Sequence, residues 1–190
     1  MEPKDLRENR LILILGGARS GKSRFALERG AALGRENVFI ATALPSDEEM
    51  ARRIERHRRE RPKGWKTLEE PLRLVDTLQA VEGKAEVVVI DCLTLWLSNL
   101  LTAVGESEEK ILGEINQLIK VARSVNLSVV AVSNEVGLSI VPMNPLSRRF
   151  RDLSGLLHQR WAAEADEVYW MMAGIAVLIK GKHEKAAIGD

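Results

Sequence analysis

A short segment near the N-terminus, Leu11-Ile-Leu-Ile-Leu-Gly-Gly-Ala-Arg-Ser-Gly-Lys-Ser23, has the residue types and spacing to hold a polyphosphate. An apolar run passes directly into Gly16-x-x-x-x-Gly21-Lys22-Ser23, the pattern in which a glycine-rich turn points successive backbone N–H groups at phosphate oxygens. Gly16 and Gly21 permit the tight turn, and Gly17, Ala18, Arg19 and Ser20 form the loop between them. The helix that follows adds the positive end of its dipole. Lys22 reaches for β- and γ-phosphates, and the Ser23 hydroxyl is the expected Mg²⁺ ligand.

A second acidic partner for the cation is expected at Asp91, which follows Val-Val-Val-Ile and so ends an apolar strand. An acidic cap on a helix starting near Leu93 is the other use for that carboxylate, and the two are compatible. The segment Asp47–Pro62 has an acidic first turn, a basic second half and a proline stop, the layout of a capped helix. Met50, Ile54, His57 and Arg61 recur every three or four residues and share one face, with Arg52, Arg56 and Arg59 assigned to the others. His57 thus falls on the inward stripe. Neutral imidazole is a nucleophile, and neighbouring guanidinium groups could neutralise a triphosphate or a departing pyrophosphate. Spacing alone equally fits a packing or surface histidine on an arginine-rich, solvated helix.

These groups need a scaffold that brings separate strand ends together. Short β-rich runs at Leu11–Leu15, Val38–Thr42, Val87–Ile90 and Leu127–Val132 alternate with stretches long enough for helices, which predicts parallel strands with helical crossovers. Helices are expected from the phosphate loop to Leu33 and over Asp47–Arg61, Pro71–Val81, Leu93–Ala103, Glu106–Ser124 and Leu146–Ala165. Val168–Ile179, broken by Gly174, predicts two strands joined by a tight turn, being too short for a membrane span. In such sheets ligands lie at the carboxyl ends of the strands, so Thr42, Asp91 and Ser133-Asn134-Glu135 are all expected to face the phosphate loop. The expected fold is α/β, a P-loop NTPase-like three-layer arrangement with a mostly parallel sheet and a C-terminal β-hairpin. It forms a single domain over residues 1–190, with residues 1–10 as an extension and 181–190 as a tail.

Composition agrees. The 190 residues are 45% hydrophobic and 29% charged with a net charge of +1, a globular balance with no basic field to recruit nucleic acid. Cys92 is the single cysteine, and the first residues lack the order of a secretory signal, so a cytoplasmic enzyme is expected. Gly137–Pro145, with two prolines and little periodicity, reads as a long functional loop. Arg148, Arg149 and Arg151 beside it suit a substrate phosphate or structural ion pairs about equally. Trp65, Trp96, Trp161 and Trp170 fit the core better than a ligand pocket. Asp152-Leu-Ser-Gly155 matches a GTPase switch formally, but no Asn-Lys-x-Asp base-reading sequence accompanies it.

Taken in order, Gly16–Ser23, Arg53-Ile-Glu-Arg-His-Arg58 with Arg61-Pro62 and Trp65, Thr67-Leu-Glu-Glu-Pro71, Asp91–Leu101, Ser133–Gly137, Ile140-Val-Pro142, Arg149-Phe-Arg-Asp152 with Gly155, and Ala165-Asp-Glu-Val168 with Gly174 form a longer pattern. It resembles the bifunctional adenosylcobinamide kinase/adenosylcobinamide-phosphate guanylyltransferase family of cobalamin biosynthesis, over nearly the whole chain. The resemblance implies that His57 takes GMP from GTP as a phosphoramidate. It implies nucleotide contacts for residues 16–23, Thr42, Ala43, Leu44, Arg58, Arg59, Glu60, Arg61, Glu69 and Asp91, with Lys22 catalytic. Glu69 read by itself is one more solvated carboxylate. Also implied are GTP and ATP as substrates, a corrinoid acceptor and a homotrimer. One departure stands out, since the family usually has Gly-x-x-Asn-Gln where this chain has Gly155-Leu-Leu-His158-Gln159. His158 is expected on a helix surface or an interface, and His183 in the tail. The competing expectations are a monofunctional P-loop small-molecule kinase in which His57 is incidental, and a nucleotide-dependent switch.

Overall fold

The computed structural model describes residues 9–182 apart from 60 and 106, so Glu60 and His183 lie outside the described residues. Its sheet is built from β1 (Leu11–Gly16), β2 (Asn37–Ala41), β3 (Lys66–Glu69), β4 (Val87–Asp91), β5 (Ser128–Val132), β6 (Glu167–Met172) and β7 (Ile175–Lys180). The order across the sheet is β3-β2-β4-β5-β1-β6-β7, parallel throughout except for β7. Helices α1 (Lys22–Leu33), α2 (Glu48–Arg59), α3 (Leu74–Val81), α4 (Leu93–Val104), α5 (Glu108–Ser124) and α6 (Pro145–Glu164) form the crossovers.

The central strands are apolar through their middles, at Leu11–Leu15, Val87–Ile90 and Val129–Val132, because both faces are covered. Leu11, Leu13 and Leu15 of β1 enter one core with Trp96 and Leu97 of α4, Ile115 and Leu118 of α5, and Leu157 and Trp161 of α6. Ile12 and Ile14 enter the opposite core, whose covering helix is α1, with Ala26 buried and Phe25 and Leu27 beside it. Strand periodicity of two sorts one sequence between the two layers. Trp96 and Trp161 are core residues, as expected of them, and Trp65 and Trp170 are half-buried against the two cores.

The four expected parallel strands are present within a residue of their predicted limits, and the expected C-terminal pair is a hairpin. Its two-residue turn, Ala173-Gly174, has φ of 51° and 82°, both positive as a type I′ turn requires. β3 is the element absent from the sequence reading. Lys66-Thr-Leu-Glu69 has no apolar run because it is an edge strand with no fully buried residue, and only pairing with β2 makes it a strand. Local chemistry sets the helix starts. Asp47 accepts from Met50 N at 2.7 Å at the head of α2, and Asn144 accepts from Leu146 N at 2.8 Å ahead of Pro145 in α6. α3 begins later than predicted because the Glu70 carboxylate takes the Leu72 and Arg73 N–H groups at 3.0 and 2.8 Å and holds that stretch as a turn.

A buried ion cluster ties α1 to the sheet at the end remote from the phosphate loop. Glu167, 3% exposed, accepts from Arg29 at 2.8 Å, from the Tyr169 hydroxyl at 2.8 Å and from Arg10. Burial pushes its carboxyl up, and hydrogen bonds from Arg29, Tyr169 and Arg10 outweigh that push, leaving the pKa below the ordinary glutamate value. Its contribution is therefore present above the unfolded glutamate range and is lost as pH falls through the lowered folded value. Glu167→Gln removes the buried carboxylate charge that Arg29, Arg10 and the Tyr169 hydroxyl share and is expected to cost about 3–5 kcal/mol. Urea unfolding at pH 7 measures this, and a loss under about 1 kcal/mol contradicts it.

Candidate active site

The phosphate loop joins β1 to α1, and its shape is enforced by close packing. Gly16 has φ of 149°, and a Cβ there would lie 2.5 Å from the Met171 carbonyl oxygen, so no larger residue fits. Gly21 has φ of 95° and stands directly before α1. The carbonyl of Gly16 accepts Glu135 N at 3.0 Å, and Gly174 N donates to the Ser20 carbonyl at 3.1 Å, so the loop is braced by the β5 end on one side and the hairpin turn on the other. Nothing lies within 4 Å of the Cβ position at Gly17, which opens that part of the loop to a ligand. Lys22 is 6% exposed and donates to the Gly17 carbonyl and, at 3.4 Å, to Ser20 Oγ. Burial pushes its ammonium down, opposed by the nearby Asp91 carboxylate.

A cavity of about 500 Å³ opens from this loop. One wall is Arg19, Ser20, Gly21, Lys22 and Ser23; the floor is the strand ends, with Ala41, Asp91, Val132 and Asn134; the other wall is α2, which contributes Met50, Arg53, Ile54, Arg56 and His57. Helix α2 has no buried residue, and its apolar positions meet the cavity rather than the core. Arg58 pairs with Glu69 of β3 and, at 3.9 Å, with Glu55, which links the helix to the sheet edge. Arg61 stacks over the Phe39 ring at 4.5 Å and donates to Thr67 Oγ1 at 3.3 Å, while its Nε is buried without a partner. Its guanidinium, pushed down by burial and by Arg58, faces the space where a phosphate chain would lie.

Two nucleophile candidates therefore border the cavity, and the environment separates them. Burial, with help from Asp91, pushes the Cys92 thiol up to about 12, so it remains a thiol. The His57 ring meets the cavity from a helix face half open to water.

The family model of cobinamide kinase / cobinamide phosphate guanyltransferase matches residues 12–179. The chain belongs to this family. It is 44% identical to the bifunctional adenosylcobalamin biosynthesis protein CobP of Pseudomonas aeruginosa, over 90% of this chain and 97% of that one. It is 41% identical to the bifunctional adenosylcobalamin biosynthesis protein CobU of Escherichia coli, over 90% and 99%. Among solved structures, the RadB recombinase superposes with a TM-score of 0.54 at 14% identity, covering 92% of this chain and 82% of that one. An ATPase of a bacterial type III secretion system gives 0.51 at 10%, covering 85% and 50%. At such identities the likeness is one of fold.

Within this cobinamide kinase / guanyltransferase chain, Arg19–Ser23, Ala43, His57, Arg61, Glu69 and Asp91 of the expected site converge on one cavity, with Gly16, Gly17 and Ala18 completing the loop. Asp91 ends β4 inside the cavity; the residue before α4 is Cys92, so the helix-cap use of Asp91 is not the one adopted. Other residues lie elsewhere. Thr42 is fully buried, its hydroxyl accepting Cys92 N at 2.7 Å and donating to the Cys92 carbonyl at 2.8 Å. Leu44 is outside the lining, and Arg59 points outward to Glu55 at 3.2 Å. The expectation that Ser133 and Glu135 face the loop is corrected. Ser133 Oγ lies 2.9 Å from Thr94 Oγ1 and 2.8 Å from His158 Nε2, and Glu135 turns toward His158 Nδ1 at 3.5 Å. Asn134 alone of the three lines the cavity. Arg53 was missed, although it precedes His57 by four residues, a same-face spacing that could have found it; Arg56, expected on another face as one of the arginines able to neutralise a triphosphate, lines the cavity as well.

His158 is also corrected, from the surface to the interior. It is 6% exposed and joins α6 to the β5 end. Burial pushes its imidazole down, with Glu135 pulling the other way. A folded pKa below the unfolded value means stability is full above the ordinary histidine range and falls as pH drops through it, because the unfolded chain binds the proton more readily. His158→Asn is expected to flatten the stability-versus-pH curve between about pH 7 and 5. Thermal unfolding across that range reads it, and an unchanged slope contradicts it. Among the described residues, no helix is long and apolar enough to cross a membrane.

Proposed function

We propose that this chain phosphorylates adenosylcobinamide with a nucleoside triphosphate and then transfers GMP from GTP to the product, giving adenosylcobinamide-GDP. The observation that carries it is the single cavity bordered on one side by the phosphate loop and on the other by His57. In the first transfer the corrinoid side-chain hydroxyl attacks the γ-phosphorus and gives up its proton to solvent, the bond from that phosphorus to the β–γ bridging oxygen breaks, and the nucleoside diphosphate leaves while the loop N–H groups and Lys22 take up charge on the phosphates. In the second, a ring nitrogen of His57 attacks the α-phosphorus of GTP. The bond to the β-phosphate oxygen breaks, and pyrophosphate leaves against Arg53, Arg56 and Arg61. The phosphate oxygen of the phosphorylated corrinoid then attacks the same phosphorus, the P–N bond breaks, and free imidazole returns.

A Mg²⁺ ion fits the residues present. Ser23 and Asp91 bring a hydroxyl and a carboxylate oxygen to the cavity that Lys22 shares, a hard-donor pair suited to a cation that takes its remaining ligands from phosphates and water. When bound, the ion would neutralise charge on the phosphates. Among the described residues no group of three or more His, Cys, Asp or Glu is placed to hold a metal. Assembly as a homotrimer belongs to the same reading.

The test is incubation with GTP labelled at the α-phosphate, without corrinoid. Acid-labile label on the protein with release of pyrophosphate is the expected result. A kinase with an incidental histidine takes no such label.

A further inference from the structure

Asn134 brings a carboxamide to the cavity floor that neither the cation site nor the histidine chemistry employs. Its place follows from the strand order. β5 runs between β4, which ends in Asp91, and β1, which leads into the phosphate loop. Val132 is level with Asp91 on one side and with Ile14 on the other. Backbone pairing then continues past the strand, Ser133 N donating to the Ile14 carbonyl at 2.9 Å and Glu135 N to the Gly16 carbonyl at 3.0 Å. Asn134 thus stands abreast of Gly16, between the two groups that would grip a terminal phosphate: the Asp91 carboxylate and the loop that holds Lys22.

The backbone of this residue is held firmly while its side chain is almost unspent. Asn134 N donates to Thr94 Oγ1 at 2.6 Å, Thr94 Oγ1 lies 2.9 Å from Ser133 Oγ, and Ser133 Oγ lies 2.8 Å from His158 Nε2. Thr94, Ser133 and His158 are all buried, so the chain ties the end of β5 to α4 and α6. A carboxamide has two N–H donors and an oxygen with two lone pairs. Here Nδ2 makes one weak contact, to Cys92 Sγ at 3.9 Å, and among the described residues the side chain makes no other hydrogen bond. A spare donor beside a spare acceptor bridges two oxygens with no proton gained or lost, and P-loop enzymes use a neutral amide near the terminal phosphate to orient the attacking oxygen. Resting on the reading proposed above, we infer that Asn134 orients the first transfer, Oδ1 accepting from the corrinoid side-chain hydroxyl and Nδ2 donating to a γ-phosphoryl oxygen. The hydroxyl oxygen bonds to the γ-phosphorus, the bond to the β–γ bridging oxygen breaks, the hydroxyl proton passes to solvent, and the amide is unchanged. The second transfer takes place at the α-phosphorus beside α2, so Asn134 has no part in it.

Asn134→Ala is therefore expected to separate the two transfers. In the full chain, kcat for γ-phosphoryl transfer to adenosylcobinamide falls at least about a hundredfold while KM for nucleotide stays within about threefold, the signature of a contact made in the transition state. Labelling of the protein by α-labelled GTP, which needs no corrinoid, stays within about threefold of wild type. A thermal melt matching wild type shows that the variant is folded. A γ-transfer rate within about threefold of wild type overturns the inference. So does a loss of γ-transfer matched by an equal loss of α-labelling, for Asn134 then shapes the nucleotide site as a whole. The reading of function fails differently: wild type itself then phosphorylates no adenosylcobinamide, whereas the inference fails on the ratio of variant to wild type.

Discussion

His57→Asn is expected to lower GMP transfer by about four orders of magnitude or more, while γ-phosphoryl transfer stays within a few-fold of wild type. Without the ring nitrogen there is no P–N intermediate, and the amide has no comparable nucleophile. The loss is chemical rather than structural, because α2 buries no residue and a half-exposed substitution on it has little stability to remove. Parallel assays with α- and γ-labelled GTP check the split. Equal α-label on wild type and variant would remove His57 from the chemistry, whereas loss of both activities would point to a nucleotide site that depends on the imidazole for its shape.

Lys22→Ala is expected to abolish both transfers, by about three orders of magnitude or more in the kinase step. The ammonium stands between the Gly17 carbonyl and Ser20 Oγ, in the cavity that also holds the Asp91 carboxylate. Removing it leaves that carboxylate facing a triphosphate with less compensating charge. Stability should move the other way. Burial pushes the Lys22 pKa down, which means the folded chain holds this charge at a cost, so the variant should melt at the same temperature as wild type or slightly above. Activity assays alongside thermal melts check the pair of outcomes; lost activity accompanied by a lower melting temperature would signal a damaged fold instead.

Much of the scaffold was legible because the physics that made it is local. A strand covered on both faces must be apolar at every position, as Val87–Ile90 and Val129–Val132 are, and a hairpin must have a turn that tolerates positive φ, as Ala173-Gly174 does. Helix α2 announced itself by an acidic cap and a basic end. β3 did not, since Lys66–Glu69 owes its conformation to hydrogen bonds from β2 rather than to its own side chains. His158 was misplaced for a related reason. An imidazole reads as polar and outward until its partners are known, and Ser133 and Glu135 are remote in sequence and adjacent only across the α6–β5 packing.

The phosphate loop, the strand-ending Asp91 and the face shared by Met50, Ile54 and His57 are determined by the sequence itself, because each depends on glycine freedom or on helix and strand periodicity over a few residues. Tertiary structure alone decided that this helix face lines the cavity opposite the loop, that Arg53 and Arg56 join it, and that Thr42 and Ser133 spend their hydroxyls on the scaffold. Each of those outcomes depends on groups far apart in the chain meeting across the sheet. Spacing along a chain specifies which side a residue faces; what it faces is set by how the layers pack.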